Sequence, residues 1–159
     1  MNILTLCTGN SARSIMAEAL FDRFGNGRIK AYSAGSKPKG RVHPMAIELL
    51  QSNGYDTSSL RSKSWDEFAE HDAPHMDIVI TVCDQAENET CPVWPGHPVQ
   101  AHWSISDPDC PALTEEQQQQ LFQAVYSRLE SRVRQFISLN FEKLDEGELH
   151  QNLKEIGGS

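Results

Sequence analysis

The chain has no apolar run approaching the ~18 residues that a membrane-spanning helix needs, and its 159 residues carry no excess of basic charge. Fourteen Lys and Arg face 22 Asp and Glu, a formal net charge of −8, which argues against a dedicated nucleic-acid binder with its basic stripe. The start, Met1-Asn2-Ile3-Leu4-Thr5-Leu6, shows no basic leader, no apolar signal core and no small-residue cleavage site. The expected setting is therefore cytoplasmic, where static disulfide frameworks are rare. None of the four cysteines (Cys7, Cys83, Cys91, Cys110) stands in a C-x2–4-C pair, so a structural zinc site is not expected and no metal ligand is assigned. Repeats and linkers are absent too. What is present has the composition of one globular domain, 38 % hydrophobic and 23 % charged, with thiols whose expected roles are catalytic or redox.

The charge is unevenly spread. Residues 1–64 hold nine basic and four acidic residues, a net of +5, and the remainder holds five and eighteen, a net of −13. A net acidic chain can thus still offer a basic site to an anion.

Apolar periodicity predicts strands over Ile3–Leu6, Ile29–Ser33, Asp77–Val82 and Val99–Trp103. Helices are predicted from Ser14, from Pro44 to Asn53-Gly54, over Asp66–His71 and from Thr114 onward, the last with apolar positions running to Leu144. Strands alternating with helices imply an α/β fold on a parallel sheet. Residues 1–144 are expected as one catalytic domain and 145–159 as a polar C-terminal tail.

Cys7-Thr8-Gly9-Asn10-Ser11-Ala12-Arg13-Ser14 joins a predicted buried strand to a helix N-terminus and spells C-x5-R-S. Main-chain N–H groups of such a turn, with the helix dipole, cradle a tetrahedral oxyanion. Gly9 would allow close backbone approach or a positive φ. Arg13 offers a planar fork of donors to two oxygens at once. The same positive field favours Cys7 as a nucleophilic thiolate, to which Ser14 can donate a hydrogen bond. The candidate substrate-binding residues are Thr8, Gly9, Asn10, Ser11, Ala12, Arg13 and Ser14.

A leaving oxygen needs a proton, and Asp107-Pro108, in a loop after the last predicted strand, can supply it. Cys83 ends the strand over 77–82. If that strand neighbours the first in a parallel sheet, Cys83 and Cys7 meet at the same carboxyl rim. Cys91 follows eight residues later. Eight helical residues would rise about 12 Å, beyond the roughly 4.4–6.8 Å between Cα atoms that a disulfide allows. The polar, acidic segment between them must therefore bend or unwind if the two thiols pair. Cys110 has no clear partner, none of the six histidines is assigned a catalytic role, and Trp103 is expected beside the site.

The strand, the C-x5-R-S loop, Met16-Ala17-Glu18-Ala19, Tyr32-Ser33-Ala34-Gly35 and Asp107-Pro108 resemble the low-molecular-weight tyrosine phosphatase fold over Met1 to about Leu144. Within that superfamily, Cys7-Thr8-Gly9-Asn10-Ser11 with Thr81-Val82-Cys83, Cys91-Pro92 and His102-Trp103 is similar to the thioredoxin-coupled arsenate reductases. The resemblance implies a three-layer, flavodoxin-like α/β fold with a four-stranded parallel sheet flanked by helices. It also implies Cys7 as nucleophile, Arg13 as oxyanion ligand, Asp107 as acid, and Cys83 and Cys91 as relay thiols. The implied partners are arsenate or phosphate and an external thioredoxin-like dithiol protein, with neither nucleic acid nor membrane. Ala12 stands where many of these reductases carry a further Cys, and the Cys83–Cys91 interval is one residue longer than their usual pattern. Some members hold a monovalent cation behind the loop; Asn10, Glu18 and Ser33 match parts of that site, and the cation stays open. The alternative reading is a tyrosine phosphatase that needs only Cys7, Arg13 and Asp107, with water hydrolysing its phosphocysteine. Asp109-Cys110-Pro111 follow the Asp-Pro pair where phosphotyrosine-specific members usually place aromatics.

Overall fold

The computed structural model describes residues 1–83 and 94–158. Four strands form one sheet: β1 (Asn2–Cys7), β2 (Lys30–Gly35), β3 (Ile78–Thr81) and β4 (Val99–His102). Their order is β2-β1-β3-β4 and every pairing is parallel. The described helices are α1 (Arg13–Gly25), α2 (Pro44–Ser52), α3 (Glu115–Ser138) and α4 (Glu146–Gly157), with 3-10 turns at Trp65–Phe68 and Phe141–Lys143. The α/β architecture expected from the sequence is present.

The two central strands are near-continuous apolar runs because both sheet faces are covered. Ile3, Cys7, Ile78 and Ile80 face the larger core, to which all four helices contribute. Leu4, Leu6 and Val79 face a smaller one closed by Trp65, Phe68, Met76 and Trp94. Among the described residues this second layer is built from the 3-10 turn and loop segments. The helix expected over Asp66–His71 is only that turn, capped by the Ser64 hydroxyl, which accepts the Asp66 N–H (3.1 Å).

α3 starts at the capping box signalled by Thr114 and Gln117. It does not run on to Leu144. The chain turns extended at Leu139, so that Phe141 drops into the core and stacks on Phe136 with ring centroids 4.8 Å apart.

Residues 145–157 correct the expected polar tail. Asp145 and Glu148 form a second capping box, and α4 buries Leu149, Leu153 and Ile156 on one stripe. The Trp103 indole N–H donates to the Leu153 carbonyl (2.9 Å). Gly157 lies so close to Trp103 and the His102 carbonyl that a Cβ there would collide with them. Three apolar residues diluted by charge read as polar in composition, yet their spacing makes a docking face. No helix among the described residues is long and apolar enough to cross a membrane.

β1 and β3 run side by side with Leu6 opposite Thr81, and the Val82 N–H donates to the Leu6 carbonyl (2.9 Å). The loops leaving both strands therefore share one rim.

Candidate active site

Cys7 is the last residue of β1 and Arg13 the first of α1, so the five residues between them must reverse direction over the helix N-terminus. The positive φ this requires falls on Asn10 (φ 43°), not on Gly9. Asn10 tolerates it because its side chain is held at both ends: its Oδ1 accepts the Lys63 N–H (2.9 Å) and its Nδ2 donates to Ser14 Oγ (2.8 Å). Ser14, accepting there, has its own hydroxyl proton free for the Cys7 sulfur 3.0 Å away, and the Asn10 N–H donates to the same sulfur (3.2 Å). Gly35 of β2 makes room for this turn, since a Cβ at that position would strike the Thr8 carbonyl.

A cavity of about 200 Å³ opens above the loop, lined by Cys7, Thr8, Gly9, Ser11, Ala12 and Arg13 and, from outside the loop, by Lys37, Lys39 and Asp107. Arg13 donates through Nη1 to the Ile105 carbonyl (3.1 Å), and its Nη2 lies 3.5 Å from Asp107 Oδ2. One guanidinium thus faces the cavity and steadies the segment that brings in Asp107. Asn10 and Ser14, expected among the substrate-binding residues, are wholly buried and turn away from the cavity, where they support Cys7. Three cations and a ring of main-chain donors around a small concavity suit a compact tetrahedral oxyanion.

Cys83 is buried, with its sulfur 3.5 Å from the Thr8 hydroxyl, so the third strand does bring a second thiol to the loop. Cys91 lies outside the described residues. Cys110 is partly exposed and does not line the cavity. Trp103, expected beside the site, is instead a core residue stacked on Phe21 with centroids 5.8 Å apart.

Several site residues carry little signal in the sequence. Lys37 and Lys39 reach the cavity because their N–H groups donate to the Thr8 (2.9 Å) and Gly9 (3.0 Å) carbonyls. The basic pair after Ala34-Gly35 was the only hint of them. Asp109 gathers Lys39, His43 and Gln118 around its carboxylate. Burial pushes the Asp109 carboxyl up, and the Lys39 and His43 contacts outweigh it, leaving the pKa below the usual carboxylate range.

Behind the loop, Ser33 donates to Glu18 Oε1 (2.6 Å), and the Lys63 ammonium lies 3.7 Å from that oxygen and 3.5 Å from Ser33 Oγ while donating to the Arg61 carbonyl (2.9 Å). Burial raises the Glu18 pKa against the pull of Lys63, and burial lowers that of Lys63 against the pull of Glu18. Glu18 and Ser33, two of the residues matched to a monovalent-cation site, already hold an ammonium, so these residues do not fit a bound cation as well.

Comparison with known proteins agrees with this geometry. The family model of low molecular weight phosphotyrosine protein phosphatase matches residues 2–151. An arsenate reductase of Bacillus subtilis (strain 168) is 35 % identical over 134 residues, which cover 84 % of this chain and 93 % of that protein. The crystal structure of an arsenate reductase from Archaeoglobus fulgidus DSM 4304 superposes with a TM-score of 0.66 at 28 % identity, covering 86 % of this chain and 99 % of that one. A further arsenate reductase, in a phosphate-binding state, gives a TM-score of 0.65 at 30 % identity, covering 86 % and 96 %. By its loop, its sheet order and these matches, the chain belongs to the low molecular weight phosphotyrosine protein phosphatase family.

Proposed function

We propose that the protein is an arsenate reductase converting arsenate to arsenite, with Cys7 as nucleophile, Arg13 and the loop amides as oxyanion ligands, Asp107 as acid, and Cys83 and Cys91 as relay thiols. The observation that carries this reading is the second buried thiol: Cys83 packs against Thr8 of the nucleophile loop, and hydrolysis by water needs no such thiol. The arsenate reductase at 35 % identity over 93 % of its own length supports it.

In the first step the Cys7 thiolate forms a bond to arsenic, and a hydroxide departs as water with the proton of Asp107. Arg13, Lys37 and the main-chain donors hold the remaining oxygens. In the second, the Cys83 thiolate attacks the Cys7 sulfur. The sulfur–arsenic pair of electrons stays on arsenic, which leaves as arsenite, and the two thiols are oxidised to a disulfide. Cys91 then attacks Cys83, restoring the Cys7 thiolate and moving the disulfide to Cys83–Cys91. An external dithiol protein of the thioredoxin type reduces that bond. A cytoplasmic setting, in which thiols are kept reduced, suits this cycle.

The phosphatase reading draws on the same Cys7, Arg13 and Asp107. It is less well supported, because no aromatic side chain among the described residues lines the cavity to hold a phenyl ring. Mass spectrometry of alkylated thiols after one arsenate turnover without reductant tests the proposal. A Cys83–Cys91 disulfide is expected, and four free thiols would overturn it. Cys83→Ser is expected to abolish repeated arsenate turnover while sparing aryl phosphate hydrolysis; sustained turnover in that variant would defeat the relay.

A further inference from the structure

Lys39 and His43 each grip both of the loops that the reaction must bring together. Lys39 donates its N–H to the Gly9 carbonyl (3.0 Å) and its ammonium to Asp109 Oδ2 (3.2 Å). His43 donates its N–H to the Ser11 carbonyl (2.8 Å), and its Nε2 lies 3.4 Å from Asp109 Oδ1. The Nδ1 of His43 accepts the Met45 N–H (3.1 Å) as the N-cap of α2, so the neutral ring carries its proton on Nε2, facing Asp109. Gln118 of α3 donates to Asp109 Oδ1 as well (3.1 Å). Asp109 in turn donates its N–H to Asp107 Oδ1 (2.9 Å).

We infer that Asp109 is the positioning residue for the acid: through Lys39 and His43 it fixes the Asp107-Pro108-Asp109 loop in register with the nucleophile loop. Asp109 does not line the cavity and touches no reacting atom. Its role follows from what otherwise restrains Asp107, whose side chain is 53 % exposed and whose polar contacts among the described residues are with Arg13 (3.5 Å) and the Asp109 N–H (2.9 Å). An exposed carboxylate on a loop samples many positions, and proton transfer needs one. Three donors from two separate segments, the β2–α2 connection and α3, converge on the carboxylate two residues along and supply that restraint. Pro108 between them narrows the backbone further.

The inference rests on Asp107 as the acid, and a double-mutant design keeps the two apart. Asp109→Ala is expected to lower kcat for arsenate about 10-fold, part of the ~10²–10⁴ that a positioned acid contributes. Asp109→Asn, which keeps the shape and the His43 contact, should lose less, with the thermal midpoint of both variants recorded to establish folding. Alkylation of Cys7 by iodoacetamide, followed on its own peptide, should be unchanged, because the nucleophile loop is intact. In an Asp107→Asn background, Asp109→Ala should cost nothing more. Equal losses in both backgrounds, a fall in Cys7 alkylation parallel to that in turnover, or wild-type kcat in Asp109→Ala would each overturn the inference. Wild-type turnover in Asp107→Asn would remove the acid assignment itself and the inference with it. A loss in Asp107→Asn without one in Asp109→Ala would remove only the inference.

Discussion

The Glu18 carboxylate and the Lys63 ammonium form a buried ion pair 3.7 Å apart, and the main chain of the same Lys63 carries the hydrogen bond that pins Asn10 in its left-handed conformation. A pair this deep is weakly favourable as a whole but costly to break, since the surviving charge is stranded in the interior. Glu18→Gln and Lys63→Met should each lower stability by about 3–5 kcal/mol, and the double variant should recover most of that loss. Urea unfolding of the four proteins measures the cycle. Additive losses would contradict the pairing.

The same ammonium makes an added monovalent cation redundant. Exchanging potassium for tetramethylammonium at constant ionic strength should leave the thermal midpoint and the Cys7 alkylation rate of the wild type unchanged. A saturable potassium-dependent rise in either would show that the site still takes a cation.

Ser14 has only one place for its hydroxyl proton once Asn10 has occupied its oxygen. Removing that donor should disfavour the thiolate by about 1.5–3 kcal/mol, the range for a hydrogen bond to a charged group. Ser14→Ala is therefore expected to slow iodoacetamide alkylation of Cys7 at neutral pH by at least about 10-fold, with Cys83 as the internal control.

α4 is part of the core, with Leu153 fully buried and its carbonyl taken by Trp103. Leu153→Ala should cost about 2–5 kcal/mol, as truncation of a core leucine does. A cost near zero in denaturant unfolding would return residues 145–157 to the status of a tail.

Asp109 has its pKa lowered in the folded protein, where the Lys39 and His43 contacts outweigh desolvation. Such a group adds stability above its unfolded pKa, and that stability is lost as pH falls through the folded value. The window lies below about pH 4. Asp109→Asn should be less stable than wild type at neutral pH, and the gap should close as pH falls through that window. A gap independent of pH would mean that its charge contributes nothing.

The local parts of the site were readable along the chain because their geometry is set by a few consecutive residues. Cys7, Arg13 and Ser14 are tied together by one strand end and one helix start, and Thr114 with Gln117 announces its own helix. The strand over 78–81 was equally plain, and with parallel pairing it sufficed to bring Cys83 to the rim. Lys63 bonds Asn10 across 53 positions and Lys39 bonds Asp109 across 70, and no periodicity signals either. The sparse apolar stripe of α4 and the inward turn of Trp103 depend likewise on surfaces supplied by other elements.

By itself, then, the sequence determined the four strands, the starts of α1, α2 and α3, and the strand-to-helix loop with its C-x5-R-S spacing, because hydrophobic period, capping and loop chemistry act within a few residues. The tertiary structure alone decided that Asn10 rather than Gly9 takes the positive φ, that Lys63 fills the place behind the loop, that Lys39 and His43 tie Asp109 to the Cys7–Arg13 loop and that the last helix closes the core. Each of these is an interaction between segments brought together only by burial of their apolar faces, and a distance through space is not written in a spacing along the chain.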